Sequence, residues 1–254
     1  MPMVCERSKF SFKNIFSLIL MELSFCITCM NRLHQISQTL LTNLKHNNNQ
    51  SVEFILVDFN SSDGLKEYIL DNNEFKRYLD TKQLKYNIID RLKFWHASIA
   101  KNTAHNLATG KIVVNLDCDN YIGENGGDFI INIFKENNYN IILSQSKNIY
   151  GSGTFGRISL LKNNFIKLGG YDESFYPMGY QDTDLINRAV KYNLKLIHID
   201  KNNKAIKNTK QDSIKNCNTN ISYNKMEMFN KLKSNINIEN NELTVNKYKN
   251  TIGI

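Results

Sequence analysis

Apolar positions in this chain fall into two rhythms that alternate along its first half. Short β-branched and aromatic runs predict strands over residues 23–28, 52–57, 84–89 and 112–114. Between them lie helical patterns. Leu33, Ile36, Leu40, Leu41 and Leu44 recur at helix spacing over residues 33–44. A second helix is predicted from Leu65 into Lys76. A third runs over residues 95–108, with Ala97, Ala100, Ala104 and Ala108 on a small-residue face able to lie close to a sheet. Strand-helix alternation of this kind predicts an α/β fold with a mostly parallel sheet covered on both faces.

The second half is less regular. Strands are predicted over residues 141–145 and 158–161, and a last core strand over 194–199. A helix opens within Met178-Gly179-Tyr180-Gln181-Asp182-Thr183-Asp184-Leu185 and runs to Tyr192. Beyond Asp200 the chain is rich in Lys and Asn, with a helix over 223–232 and a loose tail. The expected organisation is an appendage at 1–21, one domain at 22–210, and a C-terminal helix and tail at 211–254. The appendage holds the apolar run FSLIL at 16–20, too short for a span of about 20 residues. It is readable as an interfacial or signal-like segment, but the preferred reading is an appendage or a wrongly assigned start ahead of a domain beginning at Met21.

In sheets of this type, ligands bind beyond the carboxyl ends of the strands. Thr28, Arg32, Asp58, Asp63, Asp117 and Asp119 all fall at or just past predicted strand ends. The sharpest feature is GKIVVNLDCDN, where a buried strand runs into Asp117-Cys118-Asp119-Asn120. Two carboxylates so close are costly unless a cation lies between them. Mg²⁺ or Mn²⁺ holding a diphosphate would serve, and a polar turn after a strand is the plainer alternative. Asp182 and Asp184 carry a plainer alternative too, as helix caps. The turn Gly151-Ser152-Gly153-Thr154-Phe155-Gly156 could bring backbone close to a ligand but lacks the Lys of a phosphate-binding P-loop.

Composition narrows the function classes. The chain has 254 residues and is 41% hydrophobic, enough for a proper core. Its net charge of +8 is spread out, which suits anionic substrates or an anionic membrane surface. Zinc-finger spacing and RNA-binding aromatic signatures are lacking, so nucleic acid is not the expected partner. Cys26 and Cys29 form a C-x-x-C, readable as a redox pair or half a zinc site. No second such pair follows, and reduced, packed thiols in a cytoplasmic protein are the preferred reading.

Five segments in order carry a resemblance: CITCMNR, ILVDFNSSDG, AKNTAHNLATGKIVVNLDCDN, LGGYDESF and MGYQDTDLINRA. Together they resemble the nucleotide-sugar-dependent glycosyltransferases of the GT-A fold, in their family-2 and β-1,4-galactosyltransferase-like forms, over about residues 22–210. The resemblance implies a Rossmann-like sheet and an inverting transfer from a nucleotide sugar, of the UDP class, to a glycan or lipid-linked saccharide. It implies that Thr28, Arg32 and Asp58 contact the nucleotide, with Lys101 and Asn102 near it. Asp117 and Asp119 would hold Mn²⁺ or Mg²⁺ on the donor diphosphate. Gly169 and Gly170 would lie by the donor sugar, Tyr180 and Gln181 by the acceptor, and Asp182 would be the base.

Two departures stand out. The family's usual tryptophan and acid are replaced here by Tyr180 or Met178 and by Gln181. Where galactosyltransferase-like domains carry a third metal ligand, a histidine, this chain has Asn208, a poorer ligand for Mn²⁺. His198 is expected to be a core histidine. A nucleotidyltransferase and a non-catalytic sugar-binding module are the competing readings. The expected location is the cytoplasm, with peripheral attachment to the inner face of a membrane left open.

Overall fold

A computed structural model describes residues 20–145, 153–201 and 204–247. Most of the appendage expected at 1–21 lies outside the described residues, as do Gly151 and Ser152 of the glycine-rich turn.

Among the described residues, seven strands form one sheet in the order β3-β2-β1-β4-β6-β5-β7. They are β1 (Leu23–Cys29), β2 (Val52–Asp58), β3 (Leu84–Ile88), β4 (Ile112–Asp117), β5 (Ile141–Gln145), β6 (Ser159–Leu161) and β7 (Lys195–Ile199). Only β6 runs antiparallel to its neighbours, so the expected mostly parallel sheet is what the chain forms. β1 is buried at every position and pairs with β2 and β4 in parallel. A strand covered on both faces can be apolar throughout, which is why LSFCITC shows no alternation. At the start of β4, a Cβ on Gly110 would lie 2.7 Å from the backbone of Leu23 and Ser24. Only glycine lets β4 enter beside β1 there.

Side chains alternate between two cores. Phe25, Ile27 and Cys29 point into one with helix α1 (Leu33–His46), while Cys26 points into the other with Ala100 and Ala104. Those alanines lie on α4 (Ala97–Leu107). The three-residue spacing of the C-x-x-C therefore sends its thiols to opposite faces of the sheet. Both are free, and burial pushes the Cys26 thiol well above its usual range. Both pack in the core, on faces from which they cannot pair with each other or share one metal ion.

Four expectations need correction. The helix expected from Leu65 into Lys76 is two, α2 (Leu65–Leu70) and α3 (Asn73–Asp80), because Asn72 caps α3 by accepting from the Glu74 N–H. Residues Gly126–Glu136 form a helix, α5, to which the sequence pattern assigned nothing. β7 is the edge of the sheet and His198 on it is exposed, so it is neither a core strand nor a core histidine. The C-terminal part packs on the domain as α8 (Lys210–Ile214) and α9 (Tyr223–Glu239), and 240–247 continues onto it. Val245 N–H donates to Leu168, and Asn246 donates to the carbonyls of Gly169 and Tyr171.

Candidate active site

A cleft of about 710 Å³ opens past the carboxyl ends of β1 and β4, within the ordinary range for ligand sites. Thr28 and Arg32 line it from the end of β1 and the start of α1. Asp117, Cys118 and Asp119 line it from the end of β4. Lys101 reaches in from α4. Tyr180, Gln181 and Asp182 line it from the start of α7 (Gln181–Lys191). The far wall is the strap 206–209 with Ser213, Asn216 and Tyr223.

The cleft is organised by charge. Lys101 is buried, and its Nζ lies 2.7 Å from Oδ1 of Asp182 and 3.8 Å from Oδ1 of Asp117. Burial opposes the charge on Lys101, but the two carboxylates outweigh it and hold its pKa above the usual value. For Asp182 burial is the larger influence. Burial and Asp117 lift its carboxyl while Lys101 opposes them, and the balance lies above the ordinary value. A Cβ on Gly156 would sit 2.8 Å from Oδ2 of Asp117 and 3.0 Å from Oδ2 of Asp182. Glycine at 156 thus lets two carboxylates from different elements converge on one point of backbone.

The Asp117–Asn120 turn is held from beneath. Asn115 Nδ2 donates to Oδ1 of Asp117 at 3.1 Å and to the Gly156 carbonyl at 2.8 Å. Asn120 Nδ2 donates to Oδ1 of Asp119 at 2.7 Å, and buried Arg157 donates to Oδ1 of Asn120 at 3.0 Å. The strap closes over the turn: Ile206 N–H donates to the Asp119 carbonyl at 2.8 Å, and Asn120 pairs with Ala205 in an antiparallel bridge. Arg32 donates to Oδ1 of Asn208 at 3.3 Å. Burial, with Asp117 adding to it, raises the Asp119 carboxyl to about 6. Two acids with one so raised form a donor set short of positive charge. Their oxygens, with the amide oxygen of Asn208 in the same wall, suit a hard divalent cation. Among the described residues, no cluster of three or more His, Cys, Asp or Glu side chains could hold a metal.

Not every candidate reaches the cleft. Asp58 is buried beneath it, accepting from the Tyr86 hydroxyl at 2.6 Å and the Ser61 N–H at 2.8 Å. Asp63 accepts from the Leu33 N–H at the start of α1. Asn102 is buried and braces the loop after α6 (Lys162–Lys167), exchanging hydrogen bonds with the Tyr171 backbone. Gly169 and Gly170 lie outside the cleft wall, against Val245 and Asn102. Their backbone φ values are +73° and +69°. Neither Asp182 nor Asp184 caps α7, whose N-cap is Tyr180 with no side-chain bond. Asp184 is fully buried: Arg188 donates to its Oδ2 at 2.7 Å and Ser234 to its Oδ1 at 2.7 Å. Sequence reasoning overlooked Asn115, Arg157 and Trp95. Trp95 stacks edge-on against Phe59 at 6.1 Å and lines the cleft, and as the only tryptophan it was the available signal.

Solved structures share this architecture. S. aureus TarS residues 1–349, determined with UDP, matches with a TM-score of 0.58 and 15% identity over 71% of this chain and 58% of that one. The mannosyltransferase PcManGT from Pyrobaculum calidifontis, determined with GDP-Man and Mn²⁺, matches with a TM-score of 0.57 and 18% identity over 71% and 55%. TarS has also been determined with UDP-GlcNAc, and that structure matches with a TM-score of 0.57 and 15% identity over 71% and 56%. The matched region is thus under two thirds of each of these proteins. At such identities the likeness shows the fold, which is GT-A. No match was found among curated proteins. The sequence pattern of glycosyl transferase family 2 spans residues 24–232, most of the domain and half of α9, so the chain belongs to that family.

Proposed function

We propose that the chain transfers a sugar, with inversion, from a UDP-sugar to a hydroxyl of a glycan or lipid-linked saccharide. The observation that carries this reading is the meeting of Asp182 and Asp117 on Lys101 in one cleft. Asp182 is the acceptor-side base: it takes the hydroxyl proton as the oxygen attacks the anomeric carbon and the nucleoside diphosphate leaves from the opposite face. A carboxyl lifted above its usual range is the better base for that step. Lys101 keeps it from drifting further toward the neutral acid.

Thr28 and Arg32 bind the nucleotide in this reading, and Tyr180 and Gln181 orient the acceptor. Asp117 and Asp119 would hold Mn²⁺ or Mg²⁺, which when bound supplies Lewis-acid stabilisation of the departing diphosphate. The solved relatives support the donor class, since TarS was determined with UDP and UDP-GlcNAc, and PcManGT with GDP-Man and Mn²⁺. Asp58, Asn102, Gly169 and Gly170 support the site from behind rather than by contact.

The test is a panel of UDP- and GDP-sugars with saccharide acceptors, reading nucleotide release with and without Mn²⁺. Metal-dependent release with a UDP-sugar, lost in Asp119→Ala, is expected. Release that is equal in EDTA and in the variant overturns the metal assignment, and release only with GDP-sugars overturns the donor.

A further inference from the structure

Helix α9 is turned inside out. The positions it buries are Met226, Asn230 and Ser234, four residues apart, and two of the three are polar. The positions it exposes include Met228 (50% exposed), Leu232 (54%) and Ile236 (57%), again four apart, with Phe229 (39%) beside them. A surface helix ordinarily does the reverse.

The buried polar side chains have partners. Asn230 Nδ2 donates to the carbonyl of Gly179 at 2.7 Å, and its Oδ1 accepts from the Tyr176 N–H at 2.7 Å. Ser234 donates to Asp184. The exposed apolar stripe is not needed for that docking; among the described residues its ring contact is Phe229 against Tyr176, itself 41% exposed.

Charge says what the stripe fits. Lys225, Lys231 and Lys233 are exposed on the same helix and flank the stripe. Of its two acids, Glu227 is 3.7 Å from Lys210, and Glu239 is the last residue. The whole chain carries +8. An apolar stripe with a lysine rim on a cationic protein matches the surface of an anionic bilayer, where side chains enter the headgroup boundary and lysines meet lipid phosphates. A second copy fits poorly. A twofold interface would set the lysine rims against each other, and four half-exposed side chains supply only about half of the roughly 800 Å² per partner of a stable interface. Nor does any helix among the described residues have the length and apolarity to cross a membrane.

We propose that α9 is a membrane-docking helix whose Met228, Phe229, Leu232 and Ile236 enter an anionic lipid surface. The helix begins at Tyr223 in the cleft wall, and Gly179 of that wall abuts Glu227. Docking would therefore set the Tyr180 side of the cleft next to the bilayer. That step, which favours a lipid-linked acceptor, rests on the function proposed above; the docking itself does not.

The full chain should sediment with phosphatidylcholine vesicles containing phosphatidylglycerol and stay free of vesicles of phosphatidylcholine alone. Leu232→Glu with Ile236→Glu should weaken binding on the order of tenfold or more. Lys225→Glu with Lys231→Glu should weaken it on anionic vesicles too. Melting temperatures should hold, because all four side chains point outward. No vesicle binding by the wild type overturns the proposal, as does undiminished binding by the apolar variant. So does a variant whose only change is loss of a self-associated species in light scattering. Binding is read without turnover, so its failure is distinct from failure of the catalytic assignment.

Discussion

Asp182 and Asp184 sit two residues apart on α7 and meet opposite surroundings. Asp182 opens to the cleft, with its side chain 25% exposed, and shares Lys101 with Asp117. Asp184 is wholly buried with Arg188, which is wholly buried too. Arg188 also donates to the carbonyls of Leu168 and Gly170, at 2.9 and 2.7 Å. One carboxylate has a lone, flexible cation, leaving an oxygen for a substrate. The other has a planar guanidinium and a serine, with neither oxygen left over. Helix phase decides which is which: a step of two residues turns a side chain by about 200°, from the cleft to the interior. The acid that faces the cleft is left under-compensated, as the proposed base would be, while the acid of the core is matched donor for donor.

The largest expected effect attacks the architectural pair. Asp184→Ala leaves Arg188 buried without its counter-charge, and should cost about 3–5 kcal/mol of stability. Urea denaturation would show it; a variant within about 1 kcal/mol of wild type would mean that the Arg188 carbonyl contacts suffice alone. Next comes Asp182→Asn, which keeps size and removes the proposed base. Transfer should fall about a hundredfold or more, with nucleotide-sugar affinity and melting temperature nearly unchanged. Turnover within a few-fold of wild type would remove Asp182 from the mechanism, and Asp184 could not inherit the role because both its oxygens are occupied.

A smaller effect separates the two sites again. Ser234→Ala removes the hydroxyl donated to Asp184, a buried bond to a charged acceptor worth about 1.5–3 kcal/mol. For a domain of this size that is roughly 2–4 °C of melting temperature per kcal/mol. Turnover below the melting transition should stay at the wild-type level, because Ser234 touches nothing in the cleft. Equal losses of turnover and stability would tie the C-terminal helix to catalysis and blur the contrast.

How much of this could be read in the sequence follows the same divide. β1, β2 and β4 were legible because buried parallel strands are apolar through most of their length, and the acids at the tips of β2 and β4 stood out against them. Asp117, Asp119, Asp182, Lys101 and Arg32 do share one cleft. Asp58 looked equivalent to them but lies below the surface, since a strand-end position does not say which way the following turn folds. α5 escaped notice because it opens on Gly126-Gly127, poor helix formers, and only Ile130, Ile131 and Phe134 mark its buried face. α9 was underestimated because Met228, Phe229, Leu232 and Ile236 point outward, against the rule by which helices are recognised. The Lys101 bridge had no local signal: its two partners come from positions 16 and 81 residues further along the chain.

The smallest effect concerns Asp119, the cleft acid with the weakest compensation. Burial and Asp117 raise its carboxyl to about 6, against an ordinary value of 3.8. A carboxyl whose folded value lies above its unfolded one is a group the fold prefers protonated. Its penalty is therefore absent below about pH 4, grows as the pH rises, and is complete above about pH 6. In EDTA the wild type should lose stability across that window relative to Asp119→Asn. A rise from 3.8 to about 6 amounts to roughly 3 kcal/mol, which the partial solvent exposure of Asp119 reduces to about 1 kcal/mol in favour of the variant at pH 7, with the two equal at pH 4. Mn²⁺ should narrow the gap at pH 7 by stabilising the wild type and not the variant. The core pair predicts the opposite sign, because replacing Asp184 weakens the protein at neutral pH. A stabilising substitution in the cleft beside a destabilising one in the core is the thermodynamic mark of acids held for a ligand rather than for the fold. An Asp119→Asn protein no more stable than wild type at pH 7 would mean that Arg32 and the Asn120 amide already satisfy that carboxylate, and that the turn was built for itself.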